Sequence, residues 1–351
     1  MTTVLITGAA GYIGSHVTVA ALDAGYNVVA VDNCVNASPG DETIPPSLQR
    51  VQEITGKTLS FYKIDLLDKE SVRAIFSKYN PECIIHTAAL KNMAESVKNP
   101  LPYYRNNIGS LLTILEIMKE FNVKKIVFSS SALVYGTPEY NPIDERHPVG
   151  KTCTNPYAKT KYFCEEILKD ACAADKDLTA VALRYFSPVG AHESGRIGED
   201  PLGPPSQLMA IICQIAVGRR PQLAIFGNDF NTADGTVERD YIHVMDLAKG
   251  SVAPLNKMNE DPNYKGFKAY NLGMGKGYSV LQLIKAFSKE SGKKIPYTIG
   301  ERRGIDVAQL FAHIGLAEKD LGWKPRQTLE DMCRDTWRWQ SNNPQGYRTS
   351  K

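Results

Sequence analysis

Residues 4–14 read VLITGAAGYIG and predict how the first half of this chain folds. After a short apolar run, three glycines follow at three-residue spacing, namely Gly8, Gly11 and Gly14. The first glycine lets the chain turn, the second lets backbone approach a phosphate, and the third lets a helix pack close to the strand. The stretch therefore predicts a strand, a tight turn and a helix N-terminus that receive a dinucleotide pyrophosphate.

A second feature supports the same prediction. The next apolar run, residues 27–31, is followed directly by Asp32. In dinucleotide-binding folds, an acidic residue about twenty positions after the glycines accepts hydrogen bonds from the adenosine ribose. The alternative is a glycine-rich turn without a ligand, and the combination of strand, glycines and acidic residue argues against it.

Strand and helix patterns alternate through the first half of the chain. The predicted strands are residues 4–7, 27–31, 59–64, 83–86, 125–129 and 178–183, and the predicted helices include 12–25, 69–79, 101–121 and 329–342. This alternation predicts an α/β fold with a Rossmann-type, doubly wound parallel sheet. We expect an NAD-binding Rossmann domain at 1–186 and a smaller C-terminal α/β substrate-binding domain at 187–351, with some chain crossing back to the sheet. Residues 34–46 are expected to form a loop.

Composition excludes several classes of function. The 351 residues carry a net charge of only +3 and no basic block, so neither nucleic acid nor an anionic membrane surface is an expected partner. No apolar run is long enough to span a membrane, and the first residues do not resemble a secretory signal. Seven cysteines without a CxxC pair predict buried thiols, among them Cys83, Cys164, Cys172 and Cys213, and a reducing, cytoplasmic setting.

Another group of residues suits the proton transfer that accompanies nicotinamide chemistry. Tyr157 and Lys161 lie four positions apart and so share one face of a predicted helix. A lysine ammonium and a cationic nicotinamide both favour the phenolate, which makes the tyrosine a usable base. Ser131 lies just after the fifth predicted strand, where its hydroxyl can bond the same substrate hydroxyl.

Each of these residues also has a purely structural interpretation. The spacing YxxxK is common, Tyr264 and Lys268 repeat it, and such a pair can be a surface contact between neighbouring helical turns. A serine ends strands for many reasons. The six histidines are scattered, so no metal site is predicted, and His86 is expected to be a packed or hydrogen-bonded core residue.

Longer motifs give the chain a resemblance over essentially its full length. They are TGAAGYIGSH at 7–16, ESVKNPLPYYRNN at 95–107, FSSSALVYG at 128–136, TNPYAKTK at 154–161, IGEDPLG at 197–203, RDYIHVMDLAKG at 239–250, NLGMGKGYSV at 271–280 and LGWKP at 321–325. With these motifs the chain resembles the extended short-chain dehydrogenase/reductase family, and within it the UDP-hexose 4-epimerases. The resemblance also implies a homodimer formed by two long helices, here near 101–121 and 157–174.

The resemblance implies that NAD stays bound through each turnover. It takes hydride from C4 of the hexose while a tyrosine takes the 4-hydroxyl proton, and hydride then returns to the opposite face of the 4-keto sugar. UDP-galactose is thereby converted to UDP-glucose. The implied catalytic residues are Tyr157 as the base, Lys161 as the group that lowers its pKa, and Ser131 as the group that positions the 4-hydroxyl.

Matching positions extend the implied site to both ligands. The implied NAD-binding residues are Gly8, Gly11, Tyr12, Ile13, Gly14, Asp32, Asn33, Asp65, Leu66, Lys91, Asn107 and Tyr185. The implied UDP-sugar-binding residues are Ser187, Ser206, Gln207, Leu208, Phe226, Arg239, Tyr241, Arg303, Asp306 and Leu310. Arginine suits the latter role because its planar fork pairs with phosphate oxygens.

The chain departs from the family pattern at several positions of the expected substrate pocket. Ser187 stands where the family has asparagine, and Ser206-Gln207 replace two asparagines, which changes the available hydrogen-bond donors. Leu310 occupies a position where a bulky aromatic residue excludes N-acetyl sugars and a small residue admits them. Leucine is intermediate, so we expect preference for UDP-glucose and UDP-galactose, with weak or no turnover of N-acetyl forms.

Three other functions are compatible with part of this pattern. A family enzyme with a different sugar or nucleotide-sugar substrate, epimerase or oxidoreductase, would account for the pocket departures. A nucleotide-sugar dehydratase needs an acidic pair beside the active-site hydroxyl residue, and Ser131-Ala132-Leu133 contains no acid. A non-catalytic NAD-binding regulator would usually have lost the tyrosine or the lysine, and both are present.

Overall fold

The computed structural model describes residues 2–40, 43–203, 205, 207–304 and 306–348. The strands within them are β1 Thr3–Thr7, β2 Asn27–Asp32, β3 Ser60–Lys63, β4 Cys83–His86, β5 Lys125–Ser131, β6 Thr179–Tyr185, β7 Ser187–Val189, β8 Leu223–Phe226, β9 Glu238–Arg239, β10 Tyr241–His243, β11 Gly266–Leu272, β12 Tyr278–Ser279, β13 Tyr297–Gly300 and β14 Gln309–Leu310. The α-helices are α1 Tyr12–Asp23, α2 Pro46–Thr55, α3 Lys69–Tyr79, α4 Met93–Lys98, α5 Pro100–Glu120, α6 Pro156–Ala174, α7 Leu208–Ala216, α8 Val244–Glu260, α9 Val280–Ser291, α10 Gly315–Leu321 and α11 Leu329–Asn342, and a 3₁₀ helix spans Ala132–Tyr135.

Seven parallel strands form the large sheet in the order β11-β6-β5-β4-β1-β2-β3. The strand order reverses between β1 and β4, and in open α/β sheets ligands bind outside the carboxyl ends of the strands at such a switch point. The predicted doubly wound Rossmann-type fold is therefore confirmed. The predicted first turn lies directly at this switch point, because it follows β1.

Two apolar cores cover the two faces of the sheet. Alternate residues of each strand enter opposite cores, as Val4 and Leu5 of β1 show. Helices α1 and α8 pack on one face, and α5 and α6 pack together on the other. Cys83, Cys164, Cys172 and Cys213 are buried free thiols, as predicted.

Several predicted boundaries differ from the structure by one or two residues, and two of these differences have a clear physical reason. β5 extends through Ser131 rather than ending at residue 129, because Ser130 and Ser131 continue to pair with β6. The predicted loop 34–46 ends one residue too late, since α2 begins at Pro46, and residues 41 and 42 within it lie outside the described residues. Proline is accepted at the first helical position, where its missing N–H has no intrahelical partner to lose.

The C-terminal half contributes to two parts of the molecule. β11 pairs with β6 at the edge of the large sheet, and α8 packs against α1. The other elements build small sheets, namely β7 with β10, β9 between β12 and β14, and β8 with β13. A third apolar core lies among α7, α9 and α11. No helix in the described ranges is long and apolar enough to cross a membrane.

Candidate active site

The turn after β1 has the backbone geometry that its glycines predict. Gly8 has a φ of +69°, which side-chain-bearing residues rarely adopt, and a Cβ there would lie 2.7 Å from the backbone of Ala88. A Cβ on Gly14 would lie 2.0 Å from the Gly8 carbonyl oxygen. Gly11 is the N-cap of α1 and supplies no side-chain cap. The helix N-terminus thus presents its amides at a bare, glycine-lined turn, which fits the pyrophosphate of a dinucleotide.

The acidic residue at the end of β2 is tied to the same turn. Asp32 accepts hydrogen bonds from the Ala10 amide (3.0 Å) and the Cys34 amide (2.7 Å). Burial raises the pKa of Asp32, and these amides oppose that rise. Beside it, the Asn33 amide nitrogen donates to Asp65 at 3.2 Å. This edge of the sheet therefore holds carboxylate oxygens where the adenosine ribose is expected.

The three predicted catalytic residues come together at the carboxyl end of β5. Asn155 caps α6 by accepting from the Ala158 amide at 2.9 Å, and Pro156 follows as the first helical residue. Tyr157 and Lys161 then lie one turn apart on the same helix face. The Ser131 side chain lies close enough to the Tyr157 hydroxyl to lower its pKa, and Lys161 Nζ donates to the Ser129 carbonyl at 2.6 Å.

Burial controls the protonation of both groups on this helix. It raises the pKa of Tyr157 to about 12, against a smaller opposing effect of the Ser131 hydrogen bond. It also lowers the pKa of Lys161 to about 8, so that its ammonium can lose a proton near neutral pH. The protein alone therefore keeps the tyrosine as a phenol. The positive charge of bound NAD⁺ would favour its phenolate form.

The three consecutive serines of β5 each engage one residue of α6. The Ser131 side chain lies beside Tyr157, and the Ser129 carbonyl accepts from Lys161. Ser130 Oγ donates to Glu165 Oε1 at 2.5 Å. Residues 157, 161 and 165 recur every four positions, so one helix face lies against the strand, and two hydrogen bonds join them.

An ion pair that the sequence did not predict supports this arrangement. Glu165 and Arg184 of β6 are both buried, and Arg184 Nη2 lies 2.7 Å from Glu165 Oε2. Arg184 also donates to the Tyr135 hydroxyl at 2.9 Å, which in turn donates to Asn271 at 2.6 Å. The network joins α6 to β6, to the 3₁₀ helix and to β11.

Three other predicted cofactor residues are already bonded within the chain. Lys91 pairs with Glu199 at 3.2 Å. The Asn107 amide donates to the Leu90 carbonyl and to Thr160, both at 3.0 Å, and its oxygen accepts from the Leu90 amide. The Tyr185 hydroxyl bonds Ser251 at 2.7 Å. The remaining predicted members are Tyr12 and Ile13 in the first turn of α1, and Leu66, which is buried after β3.

Four of the predicted UDP-sugar-binding residues, Phe226, Arg239, Arg303 and Asp306, form a cluster. Arg303 lies with its guanidinium carbon 4.6 Å from the centre of the Phe226 ring, and it binds both oxygens of Asp306 at 2.8 Å. Arg239 on β9 donates to the Val307 carbonyl at 2.7 Å, which ties it to the same segment. An exposed aromatic ring beside arginines is suited to a base and its phosphates.

The remaining predicted substrate residues are distributed around this cluster. Ser187 begins β7, Gln207 is the N-cap of α7, and Leu208 follows it. Leu310 belongs to the same apolar cluster as Ala132, the residue after the predicted catalytic Ser131. The Tyr241 side chain belongs to the third apolar core. Ser206 lies outside the described residues. In the described ranges no group of three or more His, Cys, Asp or Glu side chains is arranged to hold a metal ion.

His86 is the packed core residue that its position predicts. Its Nδ1 bonds Thr7 Oγ1 at 2.8 Å, and its ring stacks on Phe128. Its buried Nε2 has no hydrogen-bond partner. Burial, and secondarily the charge of Lys161, lowers the pKa of His86 to about 3, so the ring is neutral in the folded protein.

This neutral histidine predicts a dependence of stability on pH. Since its pKa is about 3 when folded and about 6.5 when unfolded, the unfolded chain takes up the proton first and stability falls as pH drops from 6.5 toward 3. His86→Gln should remove up to about 1.4 kcal/mol of that fall per pH unit. Urea unfolding at pH 7.5, 5.5 and 4.5 measures it, and parallel curves for both proteins would contradict the assignment.

Comparison with known proteins finds similarity over nearly the whole chain. Residues 5–336 match the family model described as GDP-mannose 4,6 dehydratase. The chain is 55% identical to UDP-glucose 4-epimerase of Drosophila melanogaster over 98% of each chain, and 53% identical to that of Homo sapiens over 99% of this chain and 98% of the human one. The solved structure of UDP-glucose 4-epimerase from Bifidobacterium longum, in complex with NAD⁺ and UDP, is 48% identical with a TM-score of 0.92, covering 98% of this chain and 100% of that one.

Proposed function

The chain belongs to the family that the GDP-mannose 4,6 dehydratase model describes and, within it, to the UDP-glucose 4-epimerases, and we propose that Tyr157, Lys161 and Ser131 perform its proton transfer. The protein is an isomerase that catalyses NAD-dependent 4-epimerisation of a UDP-hexose. The observation that supports this assignment is that Tyr157 lies beside Ser131 at the end of β5, while Lys161, one helical turn away, donates to the Ser129 carbonyl.

The residues present fit the cofactor. The bare turn of Gly8, Gly11 and Gly14 suits the pyrophosphate, and Asp32 lies where the adenosine ribose is expected. Bound NAD supplies the group that accepts hydride from the sugar and returns it. We propose that Tyr157 takes the proton of the 4-hydroxyl, that Ser131 orients that hydroxyl, and that the Lys161 ammonium stabilises the phenolate.

The hydride and the proton removed from the sugar are both returned to it in the same turnover, so the reaction involves no net oxidation. Tyr157 holds the proton while the sugar is a 4-ketone, and its high pKa in a buried site lets it give the proton back to the new 4-hydroxyl. Dehydration would need an additional acid, and the 3₁₀ helix that follows Ser131 begins with alanine and leucine. The epimerase reaction therefore suits this site better than the dehydratase reaction that the family model's description suggests.

A single assay tests the proposed function. Purified protein is incubated with UDP-galactose without added NAD, and UDP-glucose is measured by chromatography. We expect conversion to an equilibrium mixture, because the cofactor is regenerated in every turnover. Conversion that requires added NAD, or release of a dehydrated sugar, would contradict the proposal.

We further propose that the C-terminal half, residues 187–351, binds the UDP-sugar, and that residues 1–186 bind NAD. Phe226 offers an exposed aromatic ring for the uracil, and Arg303 and Arg239 offer guanidinium groups for the diphosphate. Ser187 and Leu310 belong to segments on either side of Arg239. These contacts support a substrate site between the large sheet and the small sheets.

Leu310 should set the tolerance for N-acetyl sugars. It packs against Ala132 beside the catalytic serine, and it is almost fully buried. We expect UDP-N-acetylglucosamine to be turned over weakly or not at all, and Leu310→Gly to raise its relative kcat/KM about ten-fold or more because pocket volume is released. Competition assays with UDP-galactose and UDP-N-acetylglucosamine measure this, and efficient N-acetyl turnover by the unmodified chain would overturn it.

We also propose that the protein is a homodimer that associates through α5 and α6. Leu101 is 74% exposed, Leu112 on α5 and Phe163 on α6 are also exposed, and Tyr104 lies 6.3 Å from Phe163 between ring centres. A contiguous apolar face on two neighbouring helices is typical of an interface, and symmetric dimers bury the same face of both copies.

A charge on this face should separate the two copies. Phe163→Glu is expected to shift the mass in light scattering from twice 38.8 kDa to 38.8 kDa, because a carboxylate cannot be buried unpaired. Tyr297→Glu, on the exposed strand β13, is the matched control and should leave the dimer intact. A monomeric unmodified protein would contradict the proposal.

We propose a cytoplasmic location because the cysteines are free thiols. All seven cysteines are free, and six of them are buried, as expected for a protein kept in a reducing compartment. Cell fractionation with a tagged chain tests this, and recovery in a secreted or membrane fraction would contradict it.

A further inference from the structure

Asp240 has a buried carboxyl group to which neither the sequence analysis nor the proposed mechanism assigns a role. It lies between β9 and β10 and is only 1% exposed. Its oxygens accept three backbone hydrogen bonds, from the amides of Met274 (2.6 Å), Gly275 (3.0 Å) and Ala312 (3.0 Å). Within the described ranges no basic side chain forms an ion pair with it. Burying a carboxylate is costly unless hydrogen bonds stabilise it, so burial raises the pKa of Asp240 to about 7 while the three amides oppose that rise.

The backbone of Asp240 extends this set of contacts. Its N–H donates to the Leu310 carbonyl at 3.1 Å, and its C=O accepts from the Ser187 amide at 2.9 Å. One residue therefore joins the start of β7, the loop after β11, and β14 with the segment that follows it. Its sequence neighbours, Arg239 and Tyr241, belong to two different small sheets. The chain passes from one sheet to the other at Asp240.

The space for the carboxylate depends on a glycine in the facing segment. A Cβ on Gly273 would lie 2.5 Å from Asp240 Oδ2, closer than real side chains approach. Gly273 has no left-handed φ to explain it, so close approach is the reason for a glycine there. The Asp240 carboxyl group therefore fits here only because residue 273 has no side chain.

The residues around Asp240 are the ones proposed to hold the substrate. Ser187 and Leu310 are each one backbone hydrogen bond away, and Arg239 and Tyr241 are each one peptide bond away. We propose that Asp240 is the positioning residue of the UDP-sugar site, which fixes these four residues relative to one another. This inference rests on the proposed function, since it names the same substrate.

Substitution of Asp240 by asparagine changes the hydrogen bonding of the side chain while keeping its shape. Asp240→Asn keeps the size of the side chain, but its NH₂ group is a donor and would face at least one backbone donor. One of the two segments that bond the side chain, at Met274–Gly275 or at Ala312, must then move away. Small displacements of binding groups weaken productive binding, whereas Tyr157 and Lys161 lie on α6 and keep their contacts with β5.

Asp246 provides a matched control. It is equally buried, and its carboxylate accepts from the backbone amides of Arg326 and Gln327, both at 2.8 Å. These contacts fasten α8 to the segment before α11 and touch no proposed substrate residue. A general loss of stability should therefore appear in Asp246→Asn as well as in Asp240→Asn.

The test compares KM and kcat for UDP-galactose, bound NAD and thermal midpoint in both variants. For Asp240→Asn we expect KM to rise about ten-fold or more, with a much smaller change in kcat and with NAD content unchanged. For Asp246→Asn we expect a lower thermal midpoint and an unchanged KM. If Asp240→Asn does not fold, Gly273→Ala, which presses a methyl group against the same carboxylate, should raise KM in the same way.

The outcomes separate this inference from the proposed function. An unmodified chain that does not convert UDP-galactose overturns the proposed function, and the substrate named here with it. An active unmodified chain whose KM is unchanged in Asp240→Asn and Gly273→Ala, or raised equally in Asp246→Asn, overturns only the positioning role of Asp240.

Discussion

Tyr157→Phe is expected to lower turnover of UDP-galactose by about 10³-fold, since a positioned acid–base group contributes roughly 10²–10⁴-fold. The substitution removes only the hydroxyl that lies beside Ser131. NAD content should remain unchanged, because Gly8, Gly14 and Asp32 form a separate turn at β1 and β2. The measurements are steady-state turnover and the NAD released from a known amount of denatured protein.

The neighbouring Tyr162 on α6 supplies a matched control for this prediction. Tyr162→Phe makes the same chemical change on the same helix, in a partly buried side chain that packs against the apolar cluster containing Val134 and Ile143. Its turnover should stay close to that of the unmodified protein. Comparable turnover by both phenylalanine variants would show that Tyr157 is not the base.

Glu165→Ala is expected to lower the free energy of unfolding by about 3–5 kcal/mol, the usual effect of removing one partner of a buried ion pair. The substitution leaves Arg184, whose side chain is 4% exposed, without its carboxylate. It also removes the acceptor of the Ser130 hydroxyl. The free energy is measured by equilibrium urea unfolding of the NAD-loaded protein.

Glu166 is the adjacent control for that result. It pairs with Lys169 on the surface of α6, where both side chains are more than a third exposed. Exposed pairs contribute about 0–1 kcal/mol, so Glu166→Ala should leave unfolding nearly unchanged. Equal effects of the two substitutions would contradict the role assigned to the Glu165–Arg184 pair.

The features that sequence could predict are those encoded locally. The turn after β1 needs glycines at fixed spacing within seven residues, and Tyr157 and Lys161 share a helix face because they are four positions apart. Strand bounds were close because each buried strand is a continuous apolar run. β5 was predicted too short because serines carry no apolar signal, although Ser130 and Ser131 continue the pairing with β6.

The features that sequence could not predict join distant parts of the chain. Lys91 and Glu199 are 108 positions apart, and Asp240 and Ala312 are 72 apart. In neither pair does the local sequence around one residue indicate its partner. For Asp240 the reason is that its partners are backbone amides, which leave no side-chain pattern in the sequence of the donor segment. The contacts of Asp240 therefore became visible only when the four segments were seen together.

In the proposed substrate-binding half, residues 187–351, even less could be predicted from local sequence patterns. Phe226, Arg303 and Asp306 were predicted by resemblance alone, since an exposed arginine near a phenylalanine has no distinctive spacing. The structure brings these three side chains together. Tyr241, assigned to the substrate on the same grounds, places its ring in the third apolar core.

Retention of label at C4 tests the central claim most directly. The protein is incubated with UDP-galactose that carries deuterium at C4, in ordinary water with unlabelled NADH added, and the UDP-glucose product is examined by mass spectrometry and NMR. If the C4 deuterium leaves as hydride and returns within one closed site, the product keeps its deuterium at C4, and we expect this result. Product with hydrogen at C4, or no product without added NAD⁺, would contradict a bound cofactor used twice in each turnover.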